Sequence, residues 1–118
     1  MKRLFVAMMA LAAIALIPHF VSAADGEATL KGEPVDINCY MTGKSGEGHA
    51  ACAKSCAEKG NPIGFVVKDG DKSQLYLVVG HGKAAKDIMA PLMGKQVTAK
   101  GTVKDLDGMK VFEVSEAS

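Results

Sequence analysis

The sequence predicts a mainly β protein, a five-stranded Greek-key barrel of the OB type with a cysteine-bearing helix inserted between strands 1 and 2 and a short helix between strands 3 and 4. Three observations predict it. Five segments alternate or run apolar at strand length. Two of the breaks between them, "KDGDKS" and "DLDG", read as tight hairpin turns. The only helical spacings fall after the first and after the third strand, which is the element order of such a barrel. A small β-sandwich or an open α+β sheet built from the same strands is the competing arrangement.

Each element follows from its residues. Ala28, Leu30 and Gly32 share one face of the first strand, and after Pro34 the apolar parity moves to Val35, Ile37 and Cys39, which predicts a bent, bulged strand. His49 to Lys59 is rich in alanine, with Gly60 placed as a C-terminal stop, and predicts a helix of about three turns. "NPIG" breaks the chain before a strand that begins at Phe65, and Ser73 to Val79 forms its hairpin partner. Ala84, Ala85, Ile88, Met89, Leu92 and Met93 recur at helical spacing, with Pro91 ending or kinking that helix. Val97, Ala99 and Val103 alternate with Thr98, Lys100 and Thr102, so the first three should face the core. Met109 to Val114 closes the order.

The N-terminus reads as an export signal. Lys2 and Arg3 precede an uninterrupted apolar run from Leu4 to Ile17, and Val21-Ser22-Ala23 offers small residues for cleavage. Residues 1–23 are therefore expected to be removed, leaving one domain over 24–118 in a periplasmic or extracellular compartment. The run is shorter than the roughly 20 residues of a spanning helix, so no membrane attachment is expected after cleavage. No cysteine follows the cleavage site, so no lipid is expected there. With Lys2 and Arg3 gone, 12 basic residues face 13 acidic ones, and Arg3 is the only arginine in the chain. Without a basic excess or an arginine fork, nucleic acid is not the expected partner.

All three cysteines lie in "CYMTGKSGEGHAACAKSCAEKG", residues 39 to 60. On the predicted helix His49, Cys52 and Cys56 stand at i, i+3 and i+7 and share a face, and Cys39 has a Gly- and Ser-containing linker with which to fold over it. Cys39, His49, Cys52 and Cys56 form a Cys3His set, an ordinary tetrahedral group for zinc and acceptable to Cu(I), with iron a weaker fit. Disulfides compete, because exported domains meet an oxidising compartment. Helical residues four apart hold their Cβ atoms about 5–6 Å apart, however, and a disulfide wants about 3.5–4.5 Å. Any pairing also leaves one thiol over. Inert cysteines are the third reading. Met41 lies two residues beyond Cys39 as a possible soft donor, although lone methionines usually fill cores. His81 reads as a solvated turn residue or an outer ligand.

These residues also carry a resemblance. The stretch "GEPVDINCYMTGKSGEGHAACAKSCAEKGNPIGFVV" resembles a group of small exported bacterial proteins with the pattern V-D-x-x-C-Y, then H-x-x-C-x-x-x-C, then G-x-P-x-G, on an OB-like barrel. Val35, Asp36, Cys39, Tyr40, His49, Cys52, Cys56, Gly60, Pro62 and Gly64 match it. The resemblance implies that the three cysteines and His49 act as one unit, and it brings no activity with it. Three function classes stay open: a non-enzymatic metal-binding protein with zinc or copper on the Cys3His site, a thiol redox protein in which Cys52 attacks, and a disulfide-braced subunit that docks on another exported protein. No serine or carboxylate constellation beside a base suggests a hydrolase.

Overall fold

Five strands, β1 (Gly26–Asp36), β2 (Ile63–Asp69), β3 (Lys72–Gly80), β4 (Val97–Leu106) and β5 (Met109–Ala117), close into a barrel in the order β1-β2-β3-β5-β4. The structure is a computed structural model that describes residues 25–118, so the signal sequence expected over 1–23 lies outside the described residues. β3 and β5 run parallel, and every other neighbouring pair is antiparallel. The predicted OB-type arrangement is what forms. No helix among the described residues is long and apolar enough to cross a membrane.

β1 serves two neighbours in turn. Gly26 to Gly32 pair with Val103 to Val97 of β4, and Glu33 to Asp36 pair with Val66 to Ile63 of β2. Its burial changes at the same point, from alternating to continuous, because the second half of the strand is covered on both faces. Gly32 sits at the handover, where a Cβ would collide with the Val66 carbonyl and the Phe65 ring. Where a bend and bulge were expected, β1 shows a change of partner at Gly32. The sheet's register shift lies elsewhere, between Lys100 and Gly101, where Gly101 lets the Glu113 carbonyl approach without a Cβ in the way.

The core has two layers. Inside the barrel Phe65, Tyr76 and Phe112 pack ring against ring, with centroids 5.6 Å apart for Phe65–Phe112 and 6.1 Å for Tyr76–Phe112, both tilted. Val78, Val97, Ala99, Val103 and Val114 fill the space around them. The β4 alternation holds as expected, with Val97, Ala99 and Val103 buried and Thr98 and Lys100 exposed. Each fully buried apolar side chain of this size contributes roughly 2–3 kcal/mol of transfer free energy.

Helical segments cover the barrel. α1 (Ile37–Tyr40) is a single turn after β1, α2 (Ala50–Glu58) follows a 3-10 turn over Glu47–His49, and α3 (Ala85–Met89) continues as a 3-10 turn over Ala90–Leu92 that contains Pro91. α2 packs against the Ala90–Leu92 turn and against β1. Its inward residues Ala53 and Ala57 join Met89, Ala90 and Met93 in the core cluster. α2 ends as the sequence predicts. Gly60 takes φ 98°, its N–H donates to the Ala57 carbonyl at 3.0 Å, and the Asn61 N–H donates to the Cys56 carbonyl at 3.1 Å, which is a Schellman termination.

Candidate metal centre

The site is built by two short helices that the barrel holds in place. Asp36, the last residue of β1, is 1% exposed and caps α1, its Oδ1 accepting from the Cys39 N–H at 2.8 Å. An aspartate three residues before the amide it satisfies is a typical N-cap, so the D-x-x-C spacing is what fixes Cys39. The Cys39 carbonyl then accepts from Thr42 N, Thr42 Oγ1 and Lys44 N at 3.0, 2.8 and 3.1 Å, which turns the chain sharply. The far end of the loop is pinned from the barrel side. Buried Glu33 accepts from the Gly46 N–H through Oε1 at 2.5 Å, and Gly94 lies so close to Gly46 and Ala50 that a Cβ there would strike both.

These restraints bring Cys39 to Cys52 and Cys56. The three sulfurs all lie within 4.8 Å of one another, and all three cysteines are free thiols. Cys39 and Cys56 are half-buried, whereas Cys52 is exposed. The cluster thus has a covered side and an open side. His49 does not belong to this group. The sequence reading placed it on the helical face, but His49 sits in the 3-10 turn before α2, at φ −114° and ψ 2°. A residue outside the regular spiral does not follow the i, i+3, i+7 alignment. Its Nε2 is nevertheless buried and has no hydrogen-bond partner.

The electrostatics are dominated by Asp36. The Cys39 thiol is pushed up to about 12, first by its hydrogen bond to the Asp36 carboxylate, then by desolvation, by the negative charge of Asp36, and by Cys56 and Cys52. In the metal-free protein these neighbours favour the protonated form of the Cys39 thiol. A bound cation reverses this penalty, because coordination deprotonates a thiol outright. Asp36 Oδ2 and His49 Nε2 are the buried side-chain polar atoms without a hydrogen-bond partner among the described residues. Both belong to residues that immediately precede a cysteine-bearing helix.

The residues fit a metal ion. Zinc–sulfur bonds of about 2.3 Å place the sulfurs of a tetrahedral site about 3.8 Å apart, so a contraction of about 1 Å or less closes the cluster. The other readings sort as follows. Met41 is 79% exposed and is not core filler, whereas Met89 and Met93 are buried in the core as expected. His81 is an exposed turn residue whose Nδ1 lies 3.1 Å from Glu113 Oε1. It borders an open groove of about 490 Å³ with Thr29, Lys100 and Thr102 on the β1–β4–β5 wall. Asp36 entered the sequence reading only as part of the V-D-x-x-C-Y pattern, without a role, and Glu33 did not enter it. The capping offset of Asp36 from Cys39 was a usable signal, but nothing local marks Glu33, whose partner is 13 residues away. No protein-family model matches the chain, and neither a curated protein nor a solved structure matches it.

Proposed function

We propose that this is an exported, non-enzymatic metal-binding protein that holds one ion, zinc or Cu(I), on Cys39, Cys52 and Cys56, with His49 as the nearby nitrogen donor for a fourth position. The three-way convergence of the thiols carries the reading. A disulfide uses two sulfurs at about 2.05 Å and gives a third no reason to be there, whereas a metal employs all three. The apolar leader and its small-residue end support export to a periplasmic or extracellular compartment. There the ion protects thiols that would otherwise oxidise.

A redox role fits less well. A dithiol pair on Cys52 and Cys56 would leave the third converging thiol of Cys39 without a role. When bound, the metal would supply a positive charge that offsets the thiolates and would link α1, which bears Cys39, to α2. The chain's own residues do the rest: Asp36 orients the turn bearing Cys39, Glu33 fixes Gly46, and Gly60 ends the helix that carries Cys52 and Cys56.

Elemental analysis joined to thiol counting tests the proposal. Protein purified from the exported compartment should carry about one metal per chain, with three thiols masked until chelator is added. Metal-free protein with two thiols hidden until reductant is added would refute it.

A further inference from the structure

We infer that Cys52 is an oxidative modification site: once the metal has left, Cys52 exchanges with a small disulfide oxidant and ends in a bond to Cys39, while Cys56 stays a free thiol. The inference rests on the metal-binding reading above, because it makes the ion and the oxidant compete for the same sulfurs.

The three sulfurs lie within 4.8 Å of one another, and the fold selects one pairing among them. Cys52 and Cys56 stand four residues apart on α2. A regular helix holds such Cβ atoms about 5–6 Å apart, whereas a disulfide needs about 3.5–4.5 Å. α2 does not give way cheaply, because Ala53 and Ala57 are buried in one cluster with Met89, Ala90 and Met93. The bond must therefore include Cys39. That residue lies in the single turn of α1, followed by exposed residues 41–45 with Gly43 at φ 76°. Closing from 4.8 Å or less to a bond of about 2.05 Å falls to this loop.

Exposure chooses the partner. Cys52 is exposed, and Cys39 and Cys56 are half-buried. An oxidant that must approach a sulfur from solvent meets Cys52 first. Cys39 is the sulfur outside α2 that can then reach it.

The chemistry is thiol–disulfide exchange. The Cys52 thiolate attacks one sulfur of the oxidant RSSR, the Cys52–SR bond forms, the S–S bond of RSSR breaks, and RS⁻ leaves. Cys39 Sγ then attacks Cys52 Sγ and expels the second RS⁻. The protons of the two thiols end on two RSH; the cysteine pair is oxidised by two electrons and RSSR is reduced. Ligation and attack both use the thiolate, so a bound ion blocks the first step. The finished disulfide in turn removes two of the three sulfur ligands.

The test loads reduced wild type with Zn(II) or Cu(I), whichever it retains, and treats it with oxidised glutathione, with and without chelator. Samples are quenched in acid, alkylated in denaturant and mapped by peptide mass spectrometry. Loaded protein should keep all three cysteines alkylatable. In chelator only Cys56 should carry the label, with Cys39 joined to Cys52, and the oxidised protein should bind no metal until it is reduced. Oxidation should be roughly tenfold faster without the ion, and in chelator Cys52→Ser should oxidise roughly tenfold more slowly than wild type, since its remaining thiols are half-buried. Cys56→Ser should form the same bond at the wild-type rate. A bond that includes Cys56, a lasting glutathione adduct on Cys52, or equal oxidation of loaded and metal-free protein would overturn the inference and leave the metal-binding reading standing. Reduced protein that retains neither ion would defeat the metal-binding reading and the inference with it.

Discussion

At the scale of single residues, Asp36 does two things to Cys39. It aligns the backbone through the cap, and it holds the thiol proton. The two separate by substitution. Asn still accepts from the Cys39 N–H but carries no charge, so Asp36→Asn should keep the fold and bring the Cys39 thiol down from about 12 toward its ordinary 9.0. In metal-free protein carrying Cys52→Ser and Cys56→Ser, alkylation of Cys39 as a function of pH reads this directly. The half-maximal pH should fall in Asp36→Asn. An unchanged profile would mean that desolvation, and not the carboxylate, sets the thiol. Asp36→Ala should in addition cost about 1 kcal/mol in chemical denaturation, through the lost cap.

At the scale of elements, two glycines separate conformational strain from steric collision. Gly60 has open space around its Cα but a φ of 98°, so Gly60→Ala should cost about 1 kcal/mol through backbone strain alone. At Gly32 a Cβ meets the Val66 backbone, so Gly32→Ala should cost roughly 2–3 kcal/mol by forcing β1 away from β2. Urea unfolding of the two variants should rank them in that order. The β4–β5 hairpin supplies a pH-dependent case. The Lys110 ammonium, at 2.5 Å, and then the Gly108 N–H hold the Asp105 carboxyl below its ordinary value. A carboxyl depressed in the folded state stabilises above its unfolded value and loses that contribution as pH falls through the folded one. The advantage of wild type over Asp105→Asn should therefore be present at neutral pH and disappear below about pH 4. An advantage that persists in acid would show that the pair is not its source.

The elements also show what was legible. Alternation placed Val97, Ala99 and Val103 in the core because one face of β4 is buried and the other wet. Pro91 correctly marked where α3 gives way to a 3-10 turn. The handover of β1 at Gly32 was not legible, because it depends on the Val66 carbonyl, 34 positions along the chain. The offset of His49 depended on three residues forming a 3-10 turn before α2, a difference of one helical register that helix propensity does not encode.

At the scale of the whole molecule, the cysteine loop is the long insertion between β1 and β2, and the barrel closes without it. The chain from Ile37 to Pro62 is anchored to the barrel through Ile37 N–H to the Pro62 carbonyl at 3.0 Å, Gly46 to Glu33, and the alanine face of α2. A metal on Cys39, Cys52 and Cys56 adds a further tie between the two ends of this insertion, so binding and stability should be linked. Cys39 is the member that comes from outside α2, and its loss should remove that linkage while leaving the barrel core intact.

Thermal unfolding of the wild type and of Cys39→Ser, each alone, with chelator and with reductant, tests the central claim most directly. Chelator should lower the wild-type midpoint to that of Cys39→Ser, reductant should leave the wild type unchanged, and neither should move the variant. A wild type that ignores chelator but falls to the midpoint of Cys39→Ser in reductant would contradict the metal site and identify a disulfide in its place.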